Sequence, residues 1–136
     1  MLAYMPHRTT FPAYHPPTYA GIFFKPKGMN GVKKVRITVM RKACYPDLMA
    51  KYENPIEHAC DIEEGQVFIA NGWQKPDGLC ESAWQSMSSF VMGLAHGAED
   101  FYEGWMKNPR SAMISCNDGF RPVSFLLETM DEEHVE

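Results

Sequence analysis

Polar and apolar residues alternate over Val35-Arg36-Ile37-Thr38-Val39-Met40, the period of a strand with one face buried. A second strand is expected over Gly65–Ala70, stopped by Asn71-Gly72, with Pro76, Asp77 and Gly78 turning the chain after it. From Glu81 to His96 the period changes. Ala83, Trp84, Met87, Phe90, Val91, Leu94 and Ala95 recur at three- and four-residue steps and predict an amphipathic helix. Gly97 suits its left-handed cap.

A hairpin is expected beyond it, from strands Ser111–Cys116 and Pro122–Thr129. Asn117-Asp118-Gly119 would supply the positive-φ residues of a tight turn. Val123, Phe125 and Leu127 would share one face. A short helix over Asp47–Tyr52, capped by Asp47, would end before Pro55. The pattern predicts an α+β fold, a small antiparallel sheet in the order β-β-α-β-β packed against one main helix.

Residues 1–34 follow neither period. They hold five of the ten prolines and six aromatics, which excludes a helix and is too aromatic for an idle linker. An extended N-terminal arm is expected there, burying Tyr and Phe against its own domain or a second copy in a homo-oligomer. The single α+β domain would span 35–130, followed by a frayed acidic tail at 131–136.

Charge sharpens this division. Residues 1–34 carry five basic groups and no acid, whereas the remainder carries eight basic against seventeen acidic, a balance of −9. An acidic body argues against nucleic acid as a partner, because such binding requires a basic surface to displace counterions. No run of about 18 apolar residues exists, so no membrane span is expected. Prolines and polar groups interrupt any apolar signal core near the N-terminus, and the cytoplasm is the expected compartment.

Four cysteines stand at 44, 60, 80 and 116, with no CxxC pair and no zinc-finger spacing. Such thiols are most often buried packing groups. Cys80, just before the main helix, is also placed where the helix dipole favours an anion, so it is a candidate catalytic nucleophile, with Asp118 or His58 as proton acceptor. Cys60, Cys80 and Cys116 all fall at the ends of predicted elements. Were they to converge, they would form a thiolate site for zinc or an iron–sulfur cluster, completed by His58 or solvent.

Arg121 is a candidate clamp for an anionic ligand, although an Arg beside a turn is usually solvated or paired. Asp118 reads more readily as a turn former than as a base. Trp73 and Trp84 are candidates to line a small-molecule pocket, against the plainer role of core tryptophans. Phosphate loops, hydrolase nucleophile motifs and zincin helices are absent.

The segments Cys60…Glu64-Gly65-Gln66-Val67-Phe68, Cys80-Glu81-Ser82-Ala83-Trp84 and Cys116-Asn117-Asp118-Gly119-Phe120-Arg121-Pro122-Val123 together resemble a group of short bacterial and archaeal proteins of unassigned role. The likeness covers about residues 35–128. It implies that Cys60, Cys80, Trp84, Cys116, Asp118, Gly119 and Arg121 belong to a shared pattern, and it implies no reaction. This chain departs from that pattern at Ser115, where the first of two adjacent cysteines often stands.

Three functions remain open from sequence. The first is a binding or accessory protein with a cysteine-lined site for a metal, cluster or small ligand. The second is a thiol enzyme using Cys80. The third is an interaction module with buried thiols and an oligomerising arm.

Overall fold

The alternation in β1 (Lys33–Lys42) puts Val35, Ile37 and Val39 on one face, each at most 1% exposed. In the computed structural model, which describes residues 31–136, this strand lies inside a four-stranded antiparallel sheet. The other elements are α1 (Pro46–Tyr52), β2 (Val67–Ala70), α2 (Glu81–Ala95), β3 (Ser111–Ser115) and β4 (Val123–Glu133). The strands run in the spatial order β2-β1-β4-β3. The first and last described strands are therefore central neighbours, with Ile37 opposite Phe68 on one side and Leu127 on the other. Apart from residues 31–34, the expected arm lies outside the described residues.

One face of this sheet is covered by α2, which packs against β1, β3 and β4. Ala83, Met87, Val91, Leu94 and Ala95 form its buried stripe over Val123, Phe125 and Leu127. Full burial of side chains of this size contributes about 1.5–3 kcal/mol each, so the stripe and its facing strands hold the two layers together. On the opposite face Val67, Ile69 and Met113 remain exposed. Among the described residues, no helix is long and apolar enough to cross a membrane.

The helix ends are set by backbone geometry. Gly97 takes φ +90°, its N–H reaches Leu94 O and the N–H of Ala98 reaches Gly93 O. Those two bonds make a Schellman cap, as the glycine predicts. At α1 the expectation needs correction. Tyr45, not Asp47, is the N-cap, and it makes no side-chain bond. Pro46 takes the first helical turn, where its missing N–H costs nothing, and Asp47 follows inside that turn.

Two further expectations are corrected. The connection from Cys116 to Val123 is not a tight positive-φ turn, since none of residues 117–122 has positive φ. Instead Asp118 Oδ1 accepts the N–H groups of Phe120 (2.9 Å) and Arg121 (3.2 Å), a side-chain-built turn that needs no left-handed residue. Nor is 131–136 frayed throughout. β4 runs on to Glu133 because β1 begins early enough to pair with it. Asn71 then brackets Val135 with two hydrogen bonds, at 2.6 and 2.8 Å.

Candidate functional site

Where the helix–sheet sandwich opens, two element ends and one connecting segment come together. Cys80 is the N-cap residue of α2, Cys116 follows β3, and Cys60 lies on the segment leading to β2. All three line one cavity of about 150 Å³, with Asp118 and Arg121 on its rim. Ile62, Ala83, Val123 and Phe125 supply apolar walls. Cys60 and Cys80 also border an adjoining, more open cavity of about 280 Å³, together with His58, Asp61 and Gln66.

None of the four cysteines is buried. Cys44 and Cys80 are exposed, Cys60 and Cys116 half-buried, and all are free. The plain reading as buried packing thiols is thereby corrected. Cys80 and Cys116 adjoin the ends of α2 and β3, at the margin of the sandwich, and Cys60 lies in the connection before β2. The period-two pattern correctly aims Cys116 at the core side, where it packs with Ile114 against buried residues. Its sulfur accepts the N–H of Val123 at 3.3 Å. Cys44 stands apart, with its sulfur 3.6 Å from that of Met49.

Sharing a cavity is not the same as sharing a ligand point. Among the described residues, no group of three or more His, Cys, Asp or Glu side chains gathers closely enough to hold a metal ion. The three thiols surround a space instead of closing on one position.

Arg121 is not a free clamp. Its Nη2 donates to both carboxylate oxygens of Glu53, at the C-cap of α1, and its Nη1 donates to Asp118 Oδ2 at 2.9 Å. The side chains of Arg121 and Glu53 are only 17% and 16% exposed. The bond to Glu53 raises the pKa of Arg121 above its ordinary value, against the opposing effect of burial, and Asp118 adds to the rise. For Asp118 itself, burial pushes the carboxyl up, but the N–H groups of Phe120 and Arg121 and the guanidinium together hold it below the ordinary carboxylate range. Glu53 was not foreseen as part of this cluster. Its signal in sequence, an acid before Asn54-Pro55, is indistinguishable from a solvated turn residue.

The tryptophans do not join the site. Trp84 packs half-buried against the core. Trp73 packs against the rings of His96 and His134, with centroids 5.9 and 5.3 Å away. Neither lines either cavity.

The site therefore belongs to a four-stranded α+β domain with a cysteine-walled cavity at the N-terminal end of its main helix. No protein-family model, curated protein or solved structure matches the chain.

Proposed function

We propose that the protein is a small binding or accessory protein, and that its ligand is a thiophilic small molecule held in the cavity bounded by Cys60, Cys80 and Cys116. The observation that carries this reading is the arrival of three unburied thiols, from three separate stretches of chain, at one cavity of about 150 Å³. Packing alone accounts poorly for it, since ordinary hydrophobes would fill the same positions. The apolar walls add shape and a lowered dielectric, the usual composition of a small-ligand site. A resident zinc ion or iron–sulfur cluster would require three or more protein ligands closing on one point, so the open arrangement favours a ligand that draws two of the thiols together as it binds.

Phenylarsine oxide is a suitable probe. It condenses with two thiols to form two As–S bonds and releases one water, leaving arsenic in the trivalent state. Protein purified without oxygen should bind it one to one, and the Cys80→Ser/Cys116→Ser variant should lose that binding while keeping its melting temperature. Unchanged binding in the variant would remove the reading. Metal and sulfide analysis of the same preparation decides against it in another way: stoichiometric iron and sulfide would show a cluster site.

A second reading has its own observation. His58, Asp61 and Cys80 border the 280 Å³ cavity, and His58 Nε2 is hydrogen-bonded to Asp61 Oδ1. A thiol, an imidazole and a carboxylate lining one cavity are the parts of a thiol nucleophile with an oriented base. Alkylation of Cys80 with a pH midpoint well below that of a free thiol, shifted upward in His58→Ala, would select this reading over simple binding.

A further inference from the structure

The charge balance of the rim specifies the ligand further. Arg121 is the one cation among the described residues lining the 150 Å³ cavity, and it is held by two carboxylates, Glu53 and Asp118. Its two terminal nitrogens are both engaged. The cluster therefore has a formal charge of −1, so an arriving carboxylate or phosphate would approach the guanidinium against a surplus carboxylate. The N-terminus of α2 offers a partial positive charge of only about half a unit, less than the surplus carboxylate. The remaining described lining is thiol and apolar apart from Ser82, and none of it is charged. Asp61 and His58 line the neighbouring cavity and are bonded to each other, and its described lining holds no Lys or Arg.

We infer that the cysteine-walled cavity selects against anions and takes a small, uncharged or cationic thiophile, with Glu53 as the residue that keeps Arg121 from recruiting a negative ligand. This rests on the binding reading above and narrows its ligand class. Glu53 acts through Arg121 and is a positioning residue, so the test must read charge preference and not merely binding.

Alkyl methanethiosulfonates of three charges provide that readout on the full chain. In each case the cysteine thiolate attacks the sulfenyl sulfur, a mixed disulfide forms and methanesulfinate leaves. Rates are followed at Cys116 by peptide mass, with exposed Cys44, outside the cavity, as internal reference. Relative to Cys44, the aminoethyl reagent should be favoured over the sulfonatoethyl reagent at Cys116 by about five- to tenfold, the scale of one unit charge acting at short range through partly solvated protein. Glu53→Gln keeps the shape of the clamp and removes its surplus charge, so the preference should fall to near the Cys44 value. Asp118→Asn, which removes the other carboxylate, should move it the same way and serves if the first variant does not fold.

A cation-to-anion ratio equal to that of Cys44 in the wild type, or one unmoved by both variants, would overturn the selectivity. The neutral methyl reagent separates this failure from failure of the binding reading. Modification of one of Cys60, Cys80 and Cys116 should slow the other two, whatever the charge dependence. If the three react independently, the shared cavity is lost and the charge selectivity with it.

Discussion

Arg121 and Glu53 are 68 positions apart in the chain, yet one terminal guanidinium nitrogen bonds both oxygens of the carboxylate. This contact ties α1 to the loop between β3 and β4. It matters because α1 has no buried residue of its own. Just ahead of it, two backbone bonds, Ala43 N–H to Pro122 O and Tyr45 N–H to Phe120 O, each 2.9 Å, tie the chain to the same loop.

Loss of the clamp should therefore loosen α1 before it unfolds the sheet. Arg121→Met is expected to speed amide exchange across Pro46–Tyr52 selectively, with β1 and β4 little changed. Arg121→Lys should restore only part of the protection, because an ammonium cannot reproduce the planar two-sided grip. Equal acceleration across α1 and the sheet would show that the clamp supports the whole fold instead.

Asp118 gives the pH dependence. Its carboxyl is held below the ordinary range in the folded state, so the unfolded chain binds the proton more readily. The stability it contributes is present above the unfolded value, about 4 for a carboxylate, and is lost as pH falls through the lower folded value. The stability difference between wild type and Asp118→Asn should thus be constant near neutrality and shrink below about pH 4. Chemical denaturation at a series of pH values measures it, and a difference that grows with acid would contradict the assignment.

Glycine and core substitutions separate conformational need from mere presence. Phe125, 1% exposed, should cost about 3–5 kcal/mol on change to Ala. Gly97→Ala should cost about 1–2 kcal/mol, because φ +90° is a left-handed conformation that a Cβ disfavours. Gly119→Ala should stay within about 0.5 kcal/mol. Gly119 lacks a positive φ, and nothing lies within 4 Å of the Cβ it would gain. Denaturant midpoints at constant slope test all three; a large loss at Gly119 would mean that the loop does depend on a left-handed residue.

Much of the fold was legible because local patterns carry it. Period two in β1 and the Ala83–Leu94 stripe of α2 are local signals, and so is the cap at Gly97. Strand order was not legible. The pairing of Ile37 with Leu127 joins segments 90 residues apart, and no local period records which strands become neighbours. The same holds for the site. Placement of Cys60, Cys80 and Cys116 at element ends suggested that they could meet, while their shared cavity depends on the folded sheet. Arg121 was readable as a charged group beside a turn. Its neutralisation by Glu53 was not, because that contact follows from where α1 docks. The place of Trp73 outside both cavities was hidden for a related reason: its aromatic partners, His96 and His134, come from the far ends of α2 and β4.

The most direct test of the shared cavity is differential alkylation of the full chain, purified without oxygen, before and after one equivalent of phenylarsine oxide. Two of Cys60, Cys80 and Cys116 should lose reactivity together, and the third should slow, while Cys44 remains open to the reagent. Protection of Cys44 alongside them, or alkylation of the three at undiminished and independent rates, would contradict a common ligand site.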